Sequence, residues 1–393
     1  MQFITRWYQT CLPRTLARTR LKGSLADEVP GNSPLRRLLD ESSTFGEAQE
    51  AAEPELRWAT QPYAVRPQRR ASSTDAHVEP RDTTVLLFPG QGSQKVGMGR
   101  RLQDIPAAKQ LYDLASSVVG WDVARVCAEG PEEELLQRCQ TAVFVTSLAA
   151  LERVRDERPA AVERVRAVAG FSLGEIAALV FADALPLERA LRLVELRAAA
   201  MRAAAAERPG GMLTVWLAPD ARLPLAMRSA RDHAAERGVD SPVCQVANYL
   251  FPACKVLAGD EEALRFIEAR GGEFGLRRCA RVRVEGAFHT PLMASAEAAL
   301  RQALSALELR APRVRVWCCA EAAAYRDAAH VRRGLARHVT RAVRWEQTLH
   351  ALYARPRGSH FPLTLTLGPG GALRSTLRQV NARAWDSSLQ IDV

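Results

Sequence analysis

An apolar run that ends in Gly-x-Ser-x-Gly and restarts at once as a second apolar run sets the tightest limit on how this chain can fold. The residues are Ala167-Val168-Ala169-Gly170-Phe171-Ser172-Leu173-Gly174-Glu175, followed by Ile176-Ala177-Ala178-Leu179. The first part has the length and character of a buried strand, and the second continues as a helix. Glycines on either side of the serine permit a turn too tight for residues with a Cβ. Such a bend holds the Ser172 hydroxyl clear of the backbone, at a helix N-terminus where free amides favour negative charge. Ser172 is therefore a candidate nucleophile, the alternative being a glycine-flanked turn in which serine only caps the helix.

The composition allows such an architecture. Of 393 residues, 47% are apolar and 25% charged, enough to bury a core and too apolar for a fibrous or wholly disordered chain. No uncharged run reaches the roughly 18 residues of a spanning helix, so no membrane insertion is expected. The net charge is +10, and residues 1–80 are almost balanced, so the excess lies in the body of the chain. That favours anionic partners: nucleic acid, a phosphate-bearing cofactor or an acidic protein. All but four basic residues are arginine (the lysines are Lys22, Lys95, Lys109 and Lys255), so a single arginine carries little weight by itself. The eight cysteines form no C-x-x-C pair and lie at no ligand spacing from a histidine, so neither a metal site nor a disulfide framework is expected.

The chain divides into sections. Residues 1–22 hold Arg6, Arg14, Arg18, Arg20 and Lys22 with no acid, interleaved with Phe3, Ile4, Trp7, Tyr8, Leu12 and Leu16. This reads as a mitochondrial presequence, and residues 26–79 read as linker. Together they make a non-globular section over 1–80. Order begins at the strand Thr83–Phe88. Helices and short strands then alternate over 84–209 and again over 286–393, which predicts a large α/β domain with a mostly parallel, hydrolase-like sheet. Strands Val314–Val316 and Leu363–Leu367 belong to it. Between them, Met212–Leu217, Leu223–Glu236, Val243–Leu250, Lys255–Ala258, Asp260–Ala269 and Arg278–Val284 read as β-α-β-β-α-β. Residues 210–285 are thus expected to be an inserted ferredoxin-like subdomain.

Three further segments bear on chemistry. A serine needs a base, and His289 lies in the Gly- and Pro-bounded loop Gly286-Ala287-Phe288-His289-Thr290-Pro291, where the insertion rejoins the large domain. The loop Phe88-Pro89-Gly90-Gln91-Gly92-Ser93-Gln94 follows the first strand. It meets neither nucleotide-binding fingerprint, but its exposed amides suit an oxyanion. On the helix from Leu187 to about Ala205, Arg197 falls beside the stripe formed by Leu187, Ala190, Leu191, Val194, Ala198 and Met201, while Arg189 and Arg192 point away. An inward arginine calls for an anion, which a substrate carboxylate or an internal acid would supply.

Taken together, Phe88–Gln94, Gly170–Glu175, Leu196-Arg197 with Met201, Val246–Pro252, Gly286–Thr290, Trp345-Glu346-Gln347-Thr348 and Gly368-Pro369-Gly370 resemble the malonyl-CoA:acyl carrier protein transacylase family, in order and over residues 84–393. The mitochondrial animal members are the most similar. The resemblance implies ping-pong transfer of malonyl from malonyl-CoA to the phosphopantetheine thiol of acyl carrier protein in the mitochondrial matrix, with no cofactor. It implies Ser172 as the acylated nucleophile, His289 as its base, the amides of Gln91 and Leu173 as oxyanion hole, and Arg197 on the malonyl carboxylate. A main-chain carbonyl, that of His338, would orient His289. Phe171, Asn248 and His338 would line the pocket. The chain departs from the family pattern at Phe171 (commonly His), His338 (usually Gln), Cys319 (usually Asn) and Thr366 (an acid). Two rival readings are an esterase-type hydrolase, which would need an acid such as Asp220, Asp240 or Asp260 behind His289, and a basic RNA-binding protein, for which no aromatic-studded motif is present.

Overall fold

The structure is a computed structural model that describes residues 79–284, 286–356 and 358–393. The presequence and nearly all of the linker lie outside the described residues. Ten strands form two sheets. The larger contains β1 (Thr84–Phe88), β2 (Val165–Gly170), β7 (Arg315–Cys318), β8 (Ala323–Ala324), β9 (Leu363–Leu367) and β10 (Ser388–Ile391), in the order β10-β9-β1-β2-β7-β8. All neighbours are parallel except β7 and β8. This is the mostly parallel α/β fold expected. Among the described residues no helix is long and apolar enough to cross a membrane.

Alternation along β1 explains why both faces are covered. Leu86 and Phe88 join one apolar cluster with Val168, Ile176 and the buried face of the helix Cys139–Glu157. Val85 and Leu87 point the other way, into a second cluster with Ala169, Trp317, Trp345, Leu349 and Leu377. Strands buried on both sides read as uninterrupted apolar runs, and β1 is buried throughout.

The smaller sheet holds β3 (Gly210–Leu217), β4 (Cys244–Phe251), β5 (Cys254–Asp260) and β6 (Leu276–Arg281), antiparallel in the order β4-β5-β3-β6. The helices Leu223–Glu236 and Glu261–Arg270 cover one face, with Ala226, Ala230, Leu264 and Ile267 against Leu213, Val215, Val246 and Leu257. The alternate residues Met212, Ala247, Val256 and Ala258 belong to the main core. The second face of this sheet therefore rests on the large sheet's layers.

Most strand limits shift by a residue or two from expectation, and at two of them burial explains the difference. The alternating Arg278–Val284 suggested a strand running to residue 284, but pairing with β3 ends at Arg281. Val282 and Val284 leave the sheet to pack on the main core, so burial rather than pairing explains their apolar spacing. β7 begins one residue later than expected and runs two further, because Val316, Trp317 and Cys318 are all buried.

A buried ion pair ties the two sheets together: Lys255 Nζ on β5 donates to Glu346 Oε2 at 2.6 Å, on the helix Trp345–Leu352. Removing one partner of such a pair leaves an uncompensated charge and costs roughly 3–5 kcal/mol, whereas removing both is far milder. Lys255→Met should lower the urea-unfolding free energy by about 3 kcal/mol, and Lys255→Met with Glu346→Leu should recover most of it. Equal losses in the single and double variants would mean that the pair is not the tie.

Candidate active site

The bend after β2 is as tight as its glycines suggest. A Cβ on Gly170 would lie 2.0 Å from the Glu175 amide nitrogen, and one on Gly174 would lie 2.2 Å from the Phe88 carbonyl oxygen. Between them Ser172 adopts φ 51°, and His289 adopts φ 63°. Non-glycine residues in this left-handed region are uncommon and concentrate where the surroundings over-determine a functional geometry. The helix Gly174–Phe181 starts immediately beyond the bend.

These two residues meet although 117 positions separate them: Ser172 Oγ lies 2.9 Å from His289 Nε2. His289 Nδ1 faces the carbonyl oxygens of His338 at 2.8 Å and Arg341 at 3.1 Å. Carbonyls only accept, so Nδ1 carries the proton and Nε2 presents its lone pair to the serine hydroxyl. The group behind the imidazole is main chain and not a carboxylate. Asp260, one of the acids a hydrolase triad would call on, is instead paired with Arg208.

Arg197, 2% exposed, sits on the helix Leu187–Glu207 and points into the same space. Its guanidinium donates to Ser172 Oγ at 2.9 Å and to Gln140 Oε1 at 2.6 Å. Its Nε has no partner, and it forms no ion pair among the described residues. Both acceptors are neutral, so no carboxylate contacts the guanidinium among the described residues. Burial lowers its pKa to about 10, which still leaves it charged at neutral pH. The sequence reasoning missed Gln140. A glutamine at the start of the largely apolar stretch 139–151 of the helix Cys139–Glu157 is the signal that could have shown it.

The remaining expected residues lie around this centre. Gln91 is in the loop after β1, its side-chain carbonyl receiving the Gln140 amide at 3.2 Å. Leu173 follows the nucleophile, and neither its amide nor that of Gln91 has a hydrogen-bond acceptor among the described residues. Phe171 is half-buried, edge-on to Trp345 at 5.5 Å. Asn248, on β4, is buried with Oδ1 unpartnered and bridges Val343 through its main chain. His338 is buried, with Nε2 3.2 Å from Cys319 Sγ. Thr366 is on β9, bonded to Gln390 and Leu389, so its departure from an acid is absorbed within the sheet. Glu175, which the sequence did not single out, is fully buried beneath the bend. Its carboxylate accepts from the Cys319 amide at 2.7 Å and from the Tyr325 hydroxyl.

Burial, aided by the Arg197 charge, lowers the His289 pKa to about 4 against the opposing pull of the two carbonyls. The imidazole is therefore a neutral base at pH 7. An NMR titration of its ring protons should give a midpoint near 4. A midpoint of 6 or above would contradict the burial argument.

Comparison with known proteins adds three findings. The family described as "Acyl transferase domain" matches residues 85–358. The chain is 46% identical over 316 residues to the Drosophila melanogaster protein named probable malonyl-CoA-acyl carrier protein transacylase, mitochondrial, covering 80% of this chain and 83% of the relative. It is 44% identical over 316 residues to the Homo sapiens malonyl-CoA-acyl carrier protein transacylase, mitochondrial, covering 80% and 81%. Among solved structures, the malonyl CoA-acyl carrier protein transacylase of Coxiella burnetii superposes with a TM-score of 0.70 at 26% identity, over 80% of this chain and 95% of that one. A malonyl-transacylase solved in complex with a type II polyketide acyl-carrier protein gives 0.70 at 27%, over 79% and 96%.

Proposed function

Because the chain belongs to the acyl transferase domain family, we propose that Ser172 is the residue acylated during turnover and that His289 takes and returns its proton. The enzyme moves malonyl from malonyl-CoA to the phosphopantetheine thiol of acyl carrier protein, in mitochondrial fatty acid synthesis. The basic body of the chain suits both partners, since CoA carries phosphates and carrier proteins are acidic. The Arg-rich, acid-poor residues 1–22 suit import into the matrix.

In the first half-reaction Ser172 Oγ attacks the thioester carbon while its proton passes to His289 Nε2. The carbonyl oxygen becomes an oxyanion and takes hydrogen bonds from the amides of Gln91 and Leu173, each worth roughly 3 kcal/mol in the transition state. Collapse breaks the carbon–sulfur bond, and His289 returns the proton to the departing CoA sulfur. In the second half the carrier thiol gives its proton to His289 and attacks the malonyl-serine ester. Ser172 Oγ then leaves and recovers the proton. Every step uses side chains and amides of this chain and calls on no cofactor.

One observation carries the substrate assignment: the buried guanidinium of Arg197 touches the nucleophile and has no ion-pair partner among the described residues. A malonyl carboxylate is the missing anion, and it would replace the Ser172 contact bidentately as the acyl group settles. We assign the small sheet and its two helices, within 210–285, to a ferredoxin-like insertion. Its strand order, 2-3-1-4 within the unit, supports that reading. The large sheet over 84–209 and 286–393 is then a hydrolase-like domain, with the site at the junction and Phe171, Asn248 and His338 as pocket wall.

Two experiments test the assignment. Mixing the enzyme with malonyl-CoA should add one malonyl group by intact mass, and Ser172→Ala should remove that adduct; undiminished labelling would place the acyl group elsewhere. Arg197→Ala should reduce malonyl transfer at least tenfold more than acetyl transfer, from loss of a charged hydrogen bond of roughly 1.5–3 kcal/mol. Equal losses on both acyl groups would make Arg197 a packing residue.

A further inference from the structure

Directly beneath the reacting pair, the fold assembles three side-chain donor groups that take no part in the proton transfers of the proposed reaction. Glu175 comes from the first turn of the helix after the bend, Cys319 from the end of β7, and His338 from the end of the helix Ala328–Arg337. No sequence spacing links them, so the absence of a ligand motif did not bear on them. Cys319 Sγ lies 3.2 Å from His338 Nε2, that nitrogen lies 3.8 Å from Glu175 Oε2, and the three donor atoms all fall within 4.8 Å of one another. A triangle with two such sides and a third no longer than that has a point about 2.4 Å or less from every corner. Zinc bonds to thiolate, imidazole and carboxylate are about 2.0–2.3 Å long. The side chains are thus already within a few tenths of an ångström of ligating geometry.

Chemistry and charge agree with the distances. A thiolate with an imidazole selects a soft or borderline cation and disfavours magnesium or calcium. A divalent ion with one thiolate and one carboxylate is neutral overall, so the site would add no net charge beside the buried Arg197. The Cys319 amide and the Tyr325 hydroxyl already hold the Glu175 carboxylate, as outer hydrogen bonds do around ligating groups in metal sites.

We propose that Glu175, Cys319 and His338 form an inhibitory site for one divalent cation of the zinc class. On binding, the Cys319 thiol gives up its proton to solvent, His338 ligates through Nε2 and Glu175 through Oε2. The effect on catalysis follows from one bond and rests on the functional reading above: the carbonyl of His338 holds His289 Nδ1 at 2.8 Å. The few tenths of an ångström that His338 must still move to ligate pass through its carbonyl to His289 and weaken the 2.9 Å contact of the base with Ser172.

The test uses the full chain, freed of metal, and Co2+ alone as the probe. One equivalent of cobalt should bind with a near-ultraviolet thiolate-to-cobalt charge-transfer band, and Zn2+ should displace it. Cys319→Asn and His338→Gln, both checked for an unaltered thermal transition, should abolish the band and weaken uptake at least tenfold. Should one of them not fold, the other decides. Zn2+ should inhibit transfer in the native chain at concentrations at least tenfold lower than in either variant. Ser172→Ala should still take up cobalt with the band, because the site does not require the nucleophile; failure of the acyl-transfer reading would leave this result untouched. No uptake, a band that survives either substitution, or equal zinc inhibition of native and variant enzymes would overturn the proposal.

Discussion

A buried positive charge that no carboxylate contacts among the described residues is the constraint around which this structure is arranged. Arg197 is buried on a helix of the large domain, holds two neutral acceptors and leaves Nε without a partner. An isolated buried charge is costly unless something repays it. The guanidinium polarises the Ser172 hydroxyl, which accepts from Arg197 and donates to His289. On the proposed reading a substrate carboxylate supplies the missing partner, and one side chain then serves both selectivity and activation.

The second requirement is to hold a histidine from the loop that follows the small sheet against a serine of the central sheet. The segment 338–344 does this almost entirely through its backbone. The carbonyls of His338 and Arg341 take the imidazole N–H, and that of Val339 takes the His289 amide at 2.8 Å. Val343 exchanges hydrogen bonds with β4 of the small sheet, and the Arg344 amide donates to Cys319 at the end of β7. Both sheets and the catalytic loop therefore meet on one strip of chain. Main-chain groups set the imidazole, so orienting His289 makes no demand on the side chain at 338.

This explains what could and could not be read from the residues alone. The bend at Ser172 was legible because glycine answers a steric problem that is largely local, the Gly170 Cβ position falling on the Glu175 amide five residues on. Arg197 was legible because helical periodicity is also local. The β-α-β-β-α-β order was visible from alternation, although β6 was extended over Val282 and Val284, whose burial comes from a neighbouring layer. What stayed hidden was tertiary. Gln140, Glu175, Tyr325 and Cys319 lie on separate elements and meet only after the sheet forms. Backbone carbonyls that orient His289 leave no mark on side-chain chemistry at all.

A dry pocket sorts its titrating groups by how much each loses on ionising. Burial lowers His289 to about 4 and raises Glu175 to about 7, so the imidazole is neutral at pH 7 and the carboxyl lies near its midpoint. Their effects on stability oppose each other. The unfolded histidine binds protons up to its ordinary value near 6.5, so its contribution is complete above that pH and is lost as pH falls towards 4. The buried Glu175 binds protons more readily folded than unfolded, so its contribution is complete below its ordinary carboxyl range and is lost as pH rises towards 7. Between about 4.5 and 6.5 the two slopes partly cancel, and the pocket keeps its fold while its other charges fade. Arg197 alone, at about 10, retains its charge throughout. The environment that silences its neighbours leaves it as a fixed positive pole beside the Ser172 hydroxyl.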